Sequence, residues 1–536
     1  MSPIKIWSSF GGSGINTSFK LPFEIKRELL LNCVYGVDKD YNAVEAAKFG
    51  LLLKLLEDEN TTSTNTSKPV LPDLSNNIFF GNSLLNPTQV EKKNQTEINP
   101  FDFSKLRFDV IIGNPPYMKS EDMKNITPLE LPLYKANYTS AYKQFDKYFL
   151  FLEQGMNLLN DNGVLGYIVP SKFTKVGAGK KLREELATKG CLHSIVSFGA
   201  SQVFADKTTY TSILILTNKK QNDFLYTEVK SLPEWKIRDF HRISFDHIEI
   251  KSLSSDLWFL VPPHLKNVYK SLLNKSDKLE NIVGKKNINN GIQTSANDVF
   301  VIKPIKVDDT YIHFEKKGNS FKIEKASTMP YYETARKKGE DKLSTYRSLI
   351  PNTYVIYPYQ ISNGKAEFIE ENKFKKEYPF AYNYLFGNKQ RLAERDVKPI
   401  PKTENEWYRY GRSQYLNLGE IKEKIIIGVM SSGEKYPIDK HKTLHTAGGT
   451  AGYCSIYLSD KNPYSIYYIQ AILNSRYVEW IIHLRGEVFR GGYISRGTKV
   501  LNNLPIRTID FANAKEKAIH NKIVEAQKEL IYIQDK

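Results

Sequence analysis

Cysteine and histidine are scarce in this chain. Cys33, Cys191 and Cys454 are scattered, and the nine histidines are equally dispersed. They show no metal-ligand spacing and no disulfide framework. No metal is therefore expected, a disulfide-stapled secreted domain is excluded, and a reducing cytoplasm is the expected setting. Long apolar runs are missing too, so no membrane partner is expected. Met1-Ser2-Pro3-Ile4-Lys5-Ile6 lacks the charged-then-apolar order of a secretory signal. Acidic residues are the minority charge: 76 Lys and Arg face 59 Asp and Glu, a net charge of +17. Such an excess attracts polyanions, nucleic acid foremost, although a generally basic proteome would produce it as well. Neither an internal repeat nor a heptad pattern is present. With 536 residues, 41% hydrophobic and 25% charged, the composition is globular and calls for two or three domains.

The first part alternates short apolar runs with helical periodicity. Residues 33–37 predict a buried strand ending at Asp38. Residues 41–56 predict a helix, with Asp40 as its N-cap. Polar stretches at 58–68 and 87–100 predict loops on either side of a strand at 78–80. Residues 108–113 predict a third strand, which runs into Asn114-Pro115-Pro116-Tyr117. A helix at 146–159 and strands at 163–169, 195–198 and 212–216 continue the rhythm. Such alternation predicts a Rossmann-like, doubly wound α/β sheet. Ligands of such sheets bind at the carboxyl ends of the strands, where Asp38 and Asn114 fall. Beyond about residue 220 the rhythm fades. Helices at 263–273 and 464–476 mix with short strands at 299–302, 354–357 and 424–429, a mixed α+β domain.

Asn114-Pro115-Pro116-Tyr117 suits one chemistry closely. An exocyclic aromatic amine is a weak nucleophile because its lone pair is delocalised into the ring. Two acceptors aimed at its hydrogens make the nitrogen more tetrahedral as it attacks. The Asn114 amide oxygen and the Pro115 carbonyl are such acceptors, and the prolines restrict the backbone that holds them. Preorganised acceptors of this kind lower the barrier electrostatically. Tyr117 offers a flat face to a base flipped out of the duplex. The plain alternative is a proline turn ending a strand.

In that context the chain resembles the gamma-type adenine-N6 DNA methyltransferases of type II, IIG-like restriction–modification systems, over nearly its whole length. The resemblance assigns Asp38, in Val34-Tyr35-Gly36-Val37-Asp38, to the ribose hydroxyls of S-adenosylmethionine. It assigns Asn82, in Gly81-Asn82-Ser83-Leu84, to the cofactor adenine. Phe149, in Asp146-Lys147-Tyr148-Phe149, is assigned to the cofactor's surroundings, and Phe204, near Thr209-Tyr210-Thr211-Ser212, to the flipped base. Helix polarity, an ordinary turn and core packing are the structural alternatives for these residues. The family's glycine loop finds its counterpart in Phe10-Gly11-Gly12-Ser13-Gly14, with 4–7 as its strand. Phe10, Gly12 and Gly14 are the candidate cofactor contacts, but Ser8-Ser9 replaces the usual acid and proline. The N-terminus reads as truncated or rearranged, with one good helix at 22–32.

The same resemblance implies a catalytic domain over 1–220, a target-recognition domain over 221–510 and a C-terminal helix over 511–536. The second opens on the loop 287–294. Arginines interleave with aromatics at Trp407-Tyr408-Arg409-Tyr410-Gly411-Arg412, and again at Arg485, Arg490, Tyr493 and Arg496. Arg412 and Arg490 are the candidate DNA contacts. Solvated arginines over packed aromatic stems are the alternative. The spaced carboxylates and lysine of a nuclease site are not found, so cleavage would fall to a restriction endonuclease domain or subunit as partner. Two functions follow as expectations: an adenine-N6 methyltransferase acting on double-stranded DNA, or a catalytically silent DNA-binding fragment. Cytosine-N4, RNA and protein glutamine are further acceptors that the tetrapeptide serves; Tyr117 in its last position and the long basic second half tilt the expectation to adenine in DNA.

Overall fold

In the computed structural model the chain is described over residues 21–536, apart from 61–63, 65–68, 200, 205–208, 230, 238–242, 262, 334–346, 363, 402, 432–435, 448–451 and 490–492. It divides into two compact units, 1–165 and 166–536.

The first unit opens on helix α1 (Phe23–Cys33), then strand β1 (Gly36–Asp38), helix α2 (Tyr41–Leu56) and strand β2 (Ile78–Phe80). The predicted strand at 33–37 therefore starts later, because Cys33 still closes the helix. Asn77, 3% exposed, explains that ending. Its amide donates to the carbonyls of Leu31 at 2.8 Å and Val34 at 2.9 Å, satisfying acceptors that a helix end leaves open. Asp40 caps α2 as expected, accepting from the Asn42 amide at 2.9 Å. β1 and β2 pair in parallel, Gly36 opposite Ile78 and Asp38 opposite Phe80. Phe23, Leu30, Val44, Leu55, Leu74 and Ile78 form the small core between helices and strands.

Strand β3 (Phe108–Gly113) is followed by helices α3 (Glu130–Asn137) and α4 (Lys147–Asn157). The Phe108 amide donates to the Leu158 carbonyl at 2.9 Å, placing β3 beside the start of strand β4 (Leu159–Pro170). On β3 itself, Val110 is 65% and Ile112 80% exposed.

β4 carries the chain into the second unit. There α5 (Lys180–Lys189) leads to β5 (Leu192–Ser197), β6 (Thr211–Thr217), β7 (Asp223–Glu228) and β8 (Asp246–Glu249). β5 lies between antiparallel β6 and parallel β7, and β8 closes the edge antiparallel to β7. A mixed α/β sheet is thus present, as the alternation predicted.

The rest of the second unit is mixed α+β. One four-stranded sheet runs Ile288–Asn290, Tyr453–Ile456, Lys424–Gly428, Ile438–Asp439, and another runs Val301–Ile302, Thr353–Ile356, Thr328–Tyr332, Leu444–His445. The predicted strand at 299–302 is half wrong: Asn297–Phe300 is a helical turn and only Val301–Ile302 pairs. The Val299 and Phe300 amides both donate to the Ala296 carbonyl, and that local turn outcompetes pairing. The C-terminal helix spans Ala514–Asp535, its first turn capped by Asn513.

Candidate active site

Asn114 follows the last residue of β3 directly and is exposed, whereas Pro115 is buried. Burial of that ring against the unit holds the loop from inside. The chain then zips onto the entry to α4. Lys119 and Asp146 form an antiparallel bridge, the Lys147 amide donates to the Met118 carbonyl and the Ser120 amide to the Phe145 carbonyl, both at 2.8 Å. Tyr117 is consequently half-buried, edge-on to Tyr148 with ring centroids 6.1 Å apart. Its hydroxyl donates to Asn114 Oδ1 at 2.8 Å. Burial, aided by the negative charge of Asp146, pushes the Tyr117 phenol up to about 12, so it stays protonated and remains a donor at any working pH.

Asp38 lies at the end of β1 with an exposed carboxylate. Its Oδ1 accepts from the Asp40 amide at 2.8 Å, which turns the chain into α2. The Gly81 amide donates to the Asp38 carbonyl at 2.8 Å, so the two stretches compared with cofactor motifs meet. Asn82, however, is 4% exposed and turned inward. Its oxygen accepts from the Leu84 amide at 3.0 Å, and its nitrogen donates to Tyr134 Oη at 3.4 Å. Phe149 is 1% exposed and packs edge-on against Tyr148. Both therefore shape the unit from within. An exposed carboxylate beside a helix N-terminus fits a ribose diol, and Asp38 is the residue here that would hold one. Phe10, Gly12 and Gly14 lie outside the described residues, as do residues 4–7.

A buried carboxylate joins these loops. Glu130, at the start of α3, is 3% exposed and ion-paired with Lys39. It accepts from Tyr134 Oη at 2.7 Å and lies 3.5 Å from Lys147 Nζ. Burial alone would raise the Glu130 pKa; the hydrogen bonds from Lys39 and Tyr134 and the charge of Lys147 hold it below the ordinary glutamate value. Burial lowers that of Lys147. Glu130 belongs to no motif and is invisible in the sequence, where only its spacing from Tyr134 hints at a shared helix face.

In the second unit a cavity of about 1110 Å³ opens where β4 and β5 end and β6 begins, lined by Lys172, Tyr210, Trp235, Trp480 and His483 among others. Lys175 also lines it and donates to the carbonyls of His483 at 3.2 Å and Gly486 at 3.0 Å. Phe204 is half-buried in the loop before β6 and is not among the lining residues; Tyr210 and Ser212 of the same stretch are. The tryptophans were missed because they come from segments far apart in sequence.

The arginine–aromatic clusters resolve differently from one another. Tyr408 and Tyr410 are fully buried, their hydroxyls bonded to the carbonyls of Ile369 and Ile356. Arg409 pairs with Glu406. Arg496 is 1% exposed and clasps Glu479 with both terminal nitrogens. Tyr408, Tyr410 and Arg496 are core, the plainer of the two alternatives, and Arg409 is partly buried. Arg412 is partly exposed: it bonds the Asp396 carboxylate at 2.9 Å, and its backbone donates to Gln293 at 3.0 Å, in the stretch 287–294 that was expected to be a loop but holds the strand Ile288–Asn290. Two of the sequence stretches singled out for DNA thus meet. Arg490 lies outside the described residues. Among the described residues no helix is long and apolar enough to cross a membrane.

The chain is similar to known proteins along most of its length. Residues 32–204 match the Eco57I restriction-modification methylase family. The type II restriction enzyme and methyltransferase RM.Eco57I of Escherichia coli is 47% identical over 516 residues, 96% of this chain and 52% of that protein. The type II methyltransferase M.HincII of Haemophilus influenzae is 25% identical over 489 residues, covering 86% and 88% of the two chains. Among solved structures, the type IIL restriction-modification enzyme MmeI in complex with DNA is similar with a TM-score of 0.49 at 11% identity, over 94% of this chain and 67% of that one. The chain spans about half the length of its Escherichia coli relative. The stretch that matches the Eco57I restriction-modification methylase family, residues 32–204, is the one that holds Asp38 and Asn114.

Proposed function

We propose that the chain is the methyltransferase and target-recognition part of a type II restriction–modification enzyme, and that it methylates the exocyclic N6 of an adenine flipped out of double-stranded DNA. The observation that carries this reading is Asn114: an exposed amide oxygen directly beyond a strand end, on a loop anchored by buried Pro115 and touching Tyr117. S-adenosylmethionine, when bound, supplies an electrophilic methyl group. Asn114 Oδ1 and the Pro115 carbonyl accept the two amine hydrogens, drawing the nitrogen lone pair out of the ring. Tyr117 stacks on the base, and Asp38 holds the ribose of the methyl donor. In the second unit, the cavity with Tyr210, Trp235 and Trp480 has the size and aromatic lining to receive nucleotides. The excess positive charge and Arg412 serve the phosphate backbone and target recognition, with Arg490 as a further contact. The relatives' names support the restriction–modification assignment, with an endonuclease segment or subunit as partner.

Transfer of tritiated methyl from S-adenosylmethionine to plasmid DNA, with Asn114→Ala as control, tests this reading. Counts in adenine that fall at least about a hundredfold in the variant support it. Equal counts refute the mechanism, and counts in cytosine refute the base assignment. A second reading, a DNA-binding fragment without transfer activity of its own, is favoured by the exposed Val110 and Ile112 on the very strand that presents Asn114.

A further inference from the structure

The C-terminal helix, Ala514–Asp535, carries two apolar stripes, and the chain covers one of them. His520, Val524, Gln527 and Ile531 follow one another at helical spacing and are buried. Val524 and Ile531 join the core that holds Tyr468 and Ile469 of the helix Ile466–Leu473. Gln527 donates to Gln470 Oε1 at 3.1 Å, and His520 Nε2 accepts from the Ser465 amide at 3.2 Å. One residue earlier at each step, Ile519, Ile523, Ala526 and Leu530 repeat the pattern, and Ile533 extends it. A helix turns by about 100° per residue, so this second stripe lies beside the first. Ile523 is partly buried at the margin of the core. Ile519 is 55%, Leu530 45% and Ile533 57% exposed, and Ala526 is exposed as well.

Apolar residues alternating three and four apart form the seam of paired helices. Large apolar residues on ordinary surface stand singly instead. Two features point to a second copy of the same helix as the partner. The first is symmetry about Ala526: Ile519 and Ile533 lie equally far to either side, with Ile523 and Leu530 between. The small side chain thus sits where two crossing helices come nearest. The second is charge. Lys522 and Glu529 border the same side of the stripe, centred beside Ala526, and among the described residues neither has an ion pair within the chain. When two copies pack antiparallel about a two-fold axis at Ala526, Lys522 of each meets Glu529 of the other, and Ile519 of each meets Ile533 of the other. A parallel pairing places the charges of the two copies on opposite sides of the seam.

We propose that the stripe of Ile519, Ile523, Ala526, Leu530 and Ile533 is a homodimer interface, on which the C-terminal helices of two copies pack antiparallel and cross at Ala526. The apolar side chains supply the affinity, because exposed ion pairs contribute little. Lys522 and Glu529 set direction and register, because charges flanking a helical seam select partner and orientation. The same surface serves both copies, so the assembly closes at two and does not grow. One face of one helix is a small interface, and the dimer forms reversibly at micromolar concentration.

Sedimentation equilibrium of the full chain over a concentration series tests the interface without requiring any activity. A monomer–dimer equilibrium is expected. Leu530→Lys should raise the dissociation constant at least about tenfold, since each copy loses a leucine from the seam. Glu529→Lys sets lysine against lysine and should raise it about threefold, and adding Lys522→Glu to that variant should restore the wild-type value. All three positions are exposed, so circular dichroism and thermal unfolding of the monomers should stay unchanged. A chain that remains monomeric at every concentration overturns the proposal and leaves the stripe to a partner of another kind. A dimer that Leu530→Lys leaves intact overturns it equally. A dimer that Leu530→Lys weakens, but that the double charge exchange fails to restore, overturns the antiparallel crossing.

Discussion

The Tyr117 hydroxyl donates a 2.8 Å hydrogen bond to the side-chain oxygen of Asn114, so the acceptor proposed for the substrate amine already has a donor. The amide oxygen keeps a second lone pair for the substrate amine, so the phenol orients the acceptor without occupying it fully. Removing the hydroxyl while keeping the ring should therefore be tolerated: Tyr117→Phe is expected to keep kcat/KM within about threefold. Tyr117→Ala loses the stacking face and should fall by roughly 5- to 150-fold, the equivalent of about 1–3 kcal/mol. Methyl transfer to a duplex containing one target separates the two; equal losses would show that the hydroxyl itself takes part.

Glu130 is the second test. Its carboxylate is 3% exposed between Lys39 and buried Lys147. Glu130→Gln leaves Lys147 without its counter-charge and should cost about 3–5 kcal/mol in urea unfolding, the usual penalty for breaking a buried pair. Because Lys39 follows Asp38 directly, calorimetric affinity for S-adenosylmethionine should weaken as well. An unchanged unfolding midpoint would remove Glu130 from the framework of the site.

Glu479 sets a pH dependence. Burial pushes its pKa up, but hydrogen bonds from His483 and Arg496 prevail and hold it at about 2. A lowered folded-state carboxyl stabilises above the unfolded value, near 4.5, and the contribution disappears as pH falls through 2. Between pH 6 and 2 the wild type should therefore lose up to about 3 kcal/mol more stability than Glu479→Gln. Denaturant titrations at a series of pH values measure this directly, and parallel curves would contradict it.

Arg412 and Arg496, alike in sequence, should behave oppositely. Arg412→Ala removes a partly exposed pair with Asp396 and should change stability by less than about 1 kcal/mol. If the guanidinium grips phosphate, its loss also reduces the slope of log affinity against log salt by about 1. Arg496→Ala empties a buried clasp on Glu479 and should destabilise strongly, about 3–5 kcal/mol. Salt-dependent DNA binding together with thermal unfolding of both variants decides the matter.

Much of this was readable before any coordinates. Helix α2, strands β2 and β3 and the loop at Asn114 stand where periodicity and turn chemistry put them, because those signals are local: a capping aspartate, an apolar run, two prolines. Asp38 and Asn114 fall at strand ends for the same reason. What local signals cannot carry is which side chains face inward. Asn82, Phe149, Tyr408, Tyr410 and Arg496 had binding roles to offer, and burial directs each to packing instead. Residue type alone is the same in both settings, and only neighbours distant in sequence, Tyr134 for Asn82 and Glu479 for Arg496, separate them. Glu130 is the reverse case, a residue without a motif that gathers Lys39 and Lys147 across more than 90 residues through the fold alone. The sequence by itself determined the chemistry on offer at Asn114-Pro115-Pro116-Tyr117. Only the tertiary structure decided that Lys39 and Lys147 gather around buried Glu130, because pairing and burial depend on which elements meet in space.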